Sequence, residues 1–125
     1  MNRPSPDTRL QGKRILLVED NALTVSFFRK ALARAGVELI VVETLLEARR
    51  TIPERKYDMA VIDLQLPDGN GRSLIPLLHK HGIPTTVCTA EMDSNIPEKQ
   101  LILKGRDLGL NLCTRLLEVL YPNQV

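Results

Sequence analysis

Polar residues stand where apolar runs of this sequence end. Glu19 and Asp20 follow residues 14–18 (RILLV), Asp63 follows 59–62 (MAVI), Thr89 closes 85–89 (TTVCT), and Lys104 follows 100–103 (QLIL). An acid at the end of a buried strand is costly unless it merely terminates the strand or works there. In a parallel α/β sheet, the carboxyl ends of the strands line the crevice where ligands and catalytic groups collect. Three carboxylates gathered in that crevice repel one another and stay ionised together only if a cation holds them, and an all-oxygen ligand set points to Mg²⁺. Octahedral Mg²⁺ leaves room for a phosphoryl oxygen. The Lys104 ammonium can neutralise a second such oxygen, and the Thr89 hydroxyl with the Ala90 backbone N–H can bond a third. One carboxylate is then free to act as nucleophile. Asp63 is the best candidate, because it alone is flanked by a Gly-rich loop, and aspartyl phosphates are known covalent intermediates.

The elements that would position these groups alternate. Residues 59–62 carry no charge and read as a strand buried on both faces, followed by the turn formers of 66–71 (LPDGNG). The run at 14–18 reads as another strand. Asn21 caps a helix over 21–36, in which Val25, Phe28, Leu32 and Ala35 recur on one side and Gly36 provides the left-handed stop. Phe27 lies beside that inward stripe and is expected to be an exposed docking residue, or else to cover the edge of the core. Residues 37–43 read as a strand, and Thr44 with Glu47 forms a capping box for a helix running toward Pro53. A third helix covers 73–80, with Pro76 in its first turn and His79, Lys80 and His81 at the end that suits positive charge. The runs at 85–89 and 100–103 supply two more strands. Asp107 is expected to cap a last helix, along which Leu108, Leu112, Leu116 and Leu120 recur every four residues. Five strands alternating with helices through short loops predict a doubly wound parallel sheet.

A chain of 125 residues, 43% of them hydrophobic, suffices for one core and no more. Residues 1–12 (MNRPSPDTRLQG) read as a disordered leader, 13–121 as the domain and 122–125 as a tail. A net charge of +2, without interleaved aromatic and basic residues, argues against nucleic acid. No apolar run reaches membrane length, and no signal-peptide core is present. Cys88 and Cys113 lie in apolar surroundings without a second Cys or His at metal spacing, as in a reduced, cytoplasmic protein.

With these residues in view, the chain from Lys13 to Leu120 resembles the receiver domain of bacterial response regulators, of the chemotaxis-regulator type. The acidic pair Glu19-Asp20, the stretch IDLQLPDGNG around Asp63, the Thr89-Ala90 pair and Lys104 carry the resemblance. It implies a five-stranded sheet of flavodoxin-like order 2-1-3-4-5. It also implies phosphoryl transfer to Asp63 from a sensor histidine kinase or histidine phosphotransfer protein, and binding of a downstream protein that depends on the switch. Mg²⁺, with Mn²⁺ as an alternative, would be held by Asp20, Asp63 and the backbone carbonyl of Gln65, and by Glu19 through water. Thr89 would turn toward the phosphoryl group, and Phe27, if exposed, would dock a four-helix phosphotransfer partner. Gln65 and Glu91 occupy the positions where family members tune access of water to it.

Two departures qualify the resemblance. Lys104 follows Thr89 by 15 positions, too few for a strand, a loop and a three-turn helix, so the fourth helix is expected to be shortened or absent. A competing alignment makes that helix from residues 97–104 and deprives Lys104 of its role. Moreover, Leu101 and Gly105 stand where the family usually has an aromatic residue and a proline, which breaks the threonine–aromatic relay and leaves the peptide geometry after Lys104 open. Two rival functions follow. A dehalogenase-like phosphotransferase would need a second Asp where Gln65 stands. A phosphorylation-independent, receiver-like interaction module would keep the fold and signal by contact alone.

Overall fold

The computed structural model describes residues 8–91, 93–109 and 111–122. Its strands are β1 (Arg14–Val18), β2 (Glu38–Val42), β3 (Met59–Asp63), β4 (Thr85–Thr89) and β5 (Leu101–Leu103). They form one sheet in the order β2-β1-β3-β4-β5, with every neighbouring pair parallel. That is the doubly wound, flavodoxin-like arrangement expected.

Alternation along the central strands builds two cores. Leu16, Val18, Ala60 and Ile62 face α2 (Leu45–Thr51) and α3 (Ile75–Lys80), meeting Leu45, Ala48, Ile52, Leu74 and Leu78. Ile15, Leu17, Met59, Val61, Cys88 and Ile102 face the other way, onto Phe28 and Leu32 of α1 (Ala22–Arg34) and Leu112 and Leu116 of the C-terminal helix (Leu112–Leu120). Period-two side chains on a strand covered on both faces must be apolar throughout, which is why residues 59–62 read without a break. Asn21 caps α1 by accepting the Thr24 N–H at 3.0 Å, and Pro76 sits in the first turn of α3. Gly36 closes the first crossover at φ +71°, in the left-handed region.

Four local expectations are corrected. The last helix begins at Leu112, not behind Asp107, so Leu108 lies outside it. Asp107 instead belongs to a one-turn helix, Lys104–Asp107, where Arg106 holds its carboxylate. Gln100 falls in a 3-10 turn, Glu98–Gln100, and β5 starts one residue later. Ser73 lies in the 3-10 turn Gly71–Leu74 that leads into α3. Thr8–Leu10 of the expected disordered leader form a 3-10 turn, because Leu10 is apolar and finds Ala35 and Leu117 to pack on. Residues 1–7 of that leader, and 123–125 of the expected tail, lie outside the described residues.

Between β4 and β5, the Glu98–Gln100 turn is the only helical element among the described residues, in keeping with the expected loss of a fourth helix. Ile96 packs against Leu64, Val87 and Leu101 in its place. An ion pair between Arg72 and Asp93 ties the same segment to the loop after β3. The described peptide bonds are all trans, including that after Lys104. No described helix is long and apolar enough to cross a membrane.

Candidate functional site

Parallel pairing brings the ends of β1, β3 and β4 level, since Val18 lies beside Ile62 and Asp63 beside Cys88. The residues that follow therefore share one rim. Glu19 extends the β1–β2 ladder by donating its N–H to the Val42 carbonyl at 2.9 Å, and it is fully buried. Asp20 is exposed, whereas Asp63 is 6% exposed. Carboxylate oxygens from Glu19, Asp20 and Asp63 all lie within 4.8 Å of one another.

Lys104 reaches the same point from the end of β5. Its Nζ is 2.7 Å from Glu19 Oε1 and 3.3 Å from Asp63 Oδ2. A strand over Leu101–Leu103 rules out a helix over 97–104, and it bears out the reading in which Lys104 directly follows a strand. Burial works against the ammonium, but the two carboxylates outweigh it and hold its pKa above the usual lysine value. Burial, with the Asp63 carboxylate beside it, pushes Glu19 up to about 7. Further support comes from backbone N–H groups: Asn21 donates to Glu19 Oε2 and Gln65 to Asp63 Oδ1, each at 3.2 Å. Three acids with one ammonium leave a surplus of negative charge, which suits a divalent cation bound by hard oxygen ligands.

The loop over the rim is short and stiff. Gln65–Leu66 pairs with Gly69–Asn70 as a two-rung antiparallel hairpin, and Gly71 donates its N–H to the Leu64 carbonyl at 3.0 Å. A Cβ on Gly71 would lie 2.0 Å from the Asp63 carbonyl oxygen, so only glycine admits this approach. Asp68, read from the sequence only as a turn former, accepts the N–H groups of Leu45 and Leu46 at 2.8 and 3.1 Å. Those contacts hold its pKa below the usual carboxylate range. They lock the loop onto the start of α2, where Thr44 accepts the Glu47 N–H at 3.1 Å as one half of the expected capping box, while the Glu47 carboxylate accepts from the Thr44 hydroxyl at 3.3 Å instead of from a backbone N–H.

An open cleft of about 590 Å³ is lined by Asp20, Asp63, Gln65, Thr89, Ala90, Glu91 and Lys104. Every residue singled out from the sequence except Glu19 and Phe27 thus borders it; Glu19 lies directly beneath, through Lys104. Phe27 is 38% exposed on α1, and Leu23, one turn earlier, is 67% exposed. Leu23 escaped sequence reasoning, although it stands four positions before Phe27 on the same side of the helix. Arg72 and Asp93 were missed as well, since nothing in their spacing signals a contact across two loops.

The sequence model described as response regulator receiver domain matches residues 15–108. The KDP operon transcriptional regulatory protein KdpE of Escherichia coli K12 is 33% identical over 82 residues, 65% of this chain and 36% of that protein. Probable histidine kinase 1 of Oryza sativa subsp. indica is 30% identical over 95 residues, 75% of this chain and 9% of its own length. The chain therefore spans only a minor part of these curated relatives. The non-phosphorylated HemR receiver domain of Leptospira biflexa superposes with a TM-score of 0.73 at 27% identity, covering 87% of this chain and 94% of that one.

Proposed function

The chain belongs to the response regulator receiver family, and from that premise we propose that it accepts a phosphoryl group on Asp63 and changes its partner contacts in response. The observation that carries this reading is the shared reach of Lys104 to Glu19 and Asp63 beneath an open cleft. In the step, a phosphohistidine of a sensor kinase or phosphotransfer protein loses its P–N bond as an Asp63 carboxylate oxygen forms the new P–O bond. The leaving imidazole takes up a proton. Asp20, Asp63 and the Gln65 carbonyl would hold a divalent cation, Mg²⁺ or alternatively Mn²⁺, with Glu19 acting through water; when bound, it offsets charge on the phosphoryl oxygens. Lys104 neutralises one of those oxygens, and the Thr89 hydroxyl with the Ala90 N–H bonds another. Gln65 and Glu91, both exposed at the mouth of the cleft, govern access of hydrolytic water. The unit that does this is residues 13–121.

Leu23 and Phe27 support α1 as the surface that meets the phosphodonor, since together they expose apolar area next to Asp20. The partner that reads the switch is a protein, not nucleic acid or membrane. Acetyl phosphate, or beryllofluoride, supplied with Mg²⁺ tests the proposal: the wild type should form an adduct on Asp63, and Asp63→Asn should form none. If the wild type takes up neither reagent, the domain is a contact-only interaction module.

A further inference from the structure

Behind Lys104 lies a buried acid that the phosphoryl chemistry does not use. Lys104–Asp107 is a single helical turn directly after β5, and its first residue carries the ammonium that reaches Glu19 and Asp63. Four residues cannot hold a helix by their own hydrogen bonds, because nucleation alone is unfavourable. Side chains must close the turn, and Asp107, 3% exposed, does so. Its Oδ2 accepts the Leu103 N–H at 2.9 Å. Its two oxygens accept from the Arg106 guanidinium at 2.8 and 2.9 Å. Arg115 Nε, from the C-terminal helix, stands 3.8 Å away. Arg115 also donates to the Glu98 and Leu101 carbonyls at 2.7 and 2.6 Å, gripping the start of the strand that leads to Lys104.

One carboxylate thus ties the residue before Lys104, the turn that begins with it and the helix behind. A lysine side chain is a flexible four-carbon stem, so where its ammonium can reach is set by where its backbone is anchored. We propose that Asp107 is a positioning residue for Lys104: by clamping the turn onto the end of β5, it fixes the span from the Lys104 backbone to Asp63. The phosphoryl-transfer consequence rests on the reading of Asp63 as phosphoacceptor; the consequence for cation binding does not.

The test compares wild type, Lys104→Ala, Asp107→Ala, Asp107→Asn and the Lys104→Ala/Asp107→Ala double variant, each first shown to unfold cooperatively. Two quantities are measured: the dissociation constant for Mg²⁺ alone, and the rate of labelling by acetyl phosphate with Mg²⁺. Withdrawing the ammonium removes positive charge from the acids, so Lys104→Ala tightens Mg²⁺ binding while it slows labelling. Asp107→Ala is expected to move both quantities in the same directions, by roughly tenfold or more in labelling. Asp107→Asn retains an acceptor for the Leu103 N–H but gives up the charge that holds Arg106 and Arg115, so it should fall between wild type and Asp107→Ala. The double variant should match Lys104→Ala alone, because a residue acting only through Lys104 has nothing further to lose. The proposal is overturned by a double variant whose loss is additive, or by Asp107→Ala with wild-type Mg²⁺ affinity and labelling rate. Should Asp107→Ala not fold, Arg106→Gln and Arg115→Gln loosen the same carboxylate from outside and carry the same expectations. A wild type that binds Mg²⁺ but takes no label refutes the phosphoacceptor reading, and the Mg²⁺ affinities then decide on Asp107 by themselves. A wild type that binds no Mg²⁺ overturns both.

Discussion

The Lys104 ammonium sits nearer to Glu19, at 2.7 Å from Oε1, than to Asp63, at 3.3 Å from Oδ2. Glu19 is therefore the resting partner of the lysine, and a divalent cation entering the cleft competes with it for the same acids. Replacing Lys104 by Met keeps the stem and deletes the charge. Mg²⁺ affinity should then rise severalfold, as expected when one positive charge leaves a partly screened acid cluster. Isothermal titration at fixed ionic strength measures it; unchanged affinity would mean that Lys104 is not electrostatically part of the site.

Glu19 makes the stability of the cation-free protein depend on pH. Its folded pKa of about 7 is raised above the ordinary glutamate value, so between the two values the folded chain binds more protons than the unfolded one. Stability should therefore fall as pH rises from about 4.5 toward 7, by at most about 1.4 kcal/mol per pH unit for this one proton. Urea unfolding across pH 5–8 should show that decline, and Glu19→Gln should flatten it. Saturating Mg²⁺ should reduce it as well, because a bound cation favours the ionised acids.

Gly71→Ala places a methyl group against the backbone carbonyl of Asp63, at a distance of 2.0 Å before anything moves. Backbone atoms on both sides cannot give way cheaply. The variant should lose roughly 2–4 kcal/mol of stability, and Asp63 should become a poorer acceptor in the protein that still folds. Denaturant titration and acetyl phosphate labelling measure the two effects.

Asp68→Ala leaves the Leu45 and Leu46 N–H groups at the start of α2 without their carboxylate. Thermal unfolding should shift downward, with Asp68→Asn between this variant and wild type, since the amide oxygen still accepts but carries no charge for the helix N-terminus. Equal midpoints for all three would show that Asp68 caps nothing of consequence.

Neighbouring phenylalanines on α1 should separate stability from recognition. Phe28 is fully buried between α1 and the sheet, so Phe28→Ala should cost about 3–5 kcal/mol. Phe27, more than a third exposed, should change stability by about 0.5 kcal/mol or less when truncated. Phe27→Ala should nevertheless slow transfer from a phosphorylated four-helix partner while leaving labelling by acetyl phosphate unchanged, since the small donor needs no docking surface. Equal transfer rates from the protein donor would refute the assignment of α1 as the docking face.

The order of elements, the two-sided burial of β3 and the acids at strand ends were legible in the sequence, because each follows from local alternation or from polarity at the close of an apolar run. The short interval between Thr89 and Lys104 likewise announced that no full helix could fit there. Contacts between distant loops were not legible: Asp68 at the start of α2, Arg72 on Asp93, and Gly71 against the Asp63 carbonyl depend on where the turns meet in space.

Asp107 marks the boundary most clearly. Its type and place before a leucine stripe fit a helix cap equally well, and local pattern alone could not distinguish that role from the one found. Tertiary packing decided it: Arg115 reaches back from the last helix to the Asp107 carboxylate and to the start of β5, and a buried carboxylate settles where N–H donors converge on it. The sequence by itself determined which groups could do chemistry and that strand ends would carry them. Only the folded chain decided which acid the lysine rests on and what holds the lysine in place, since both depend on distances that no spacing along the chain encodes.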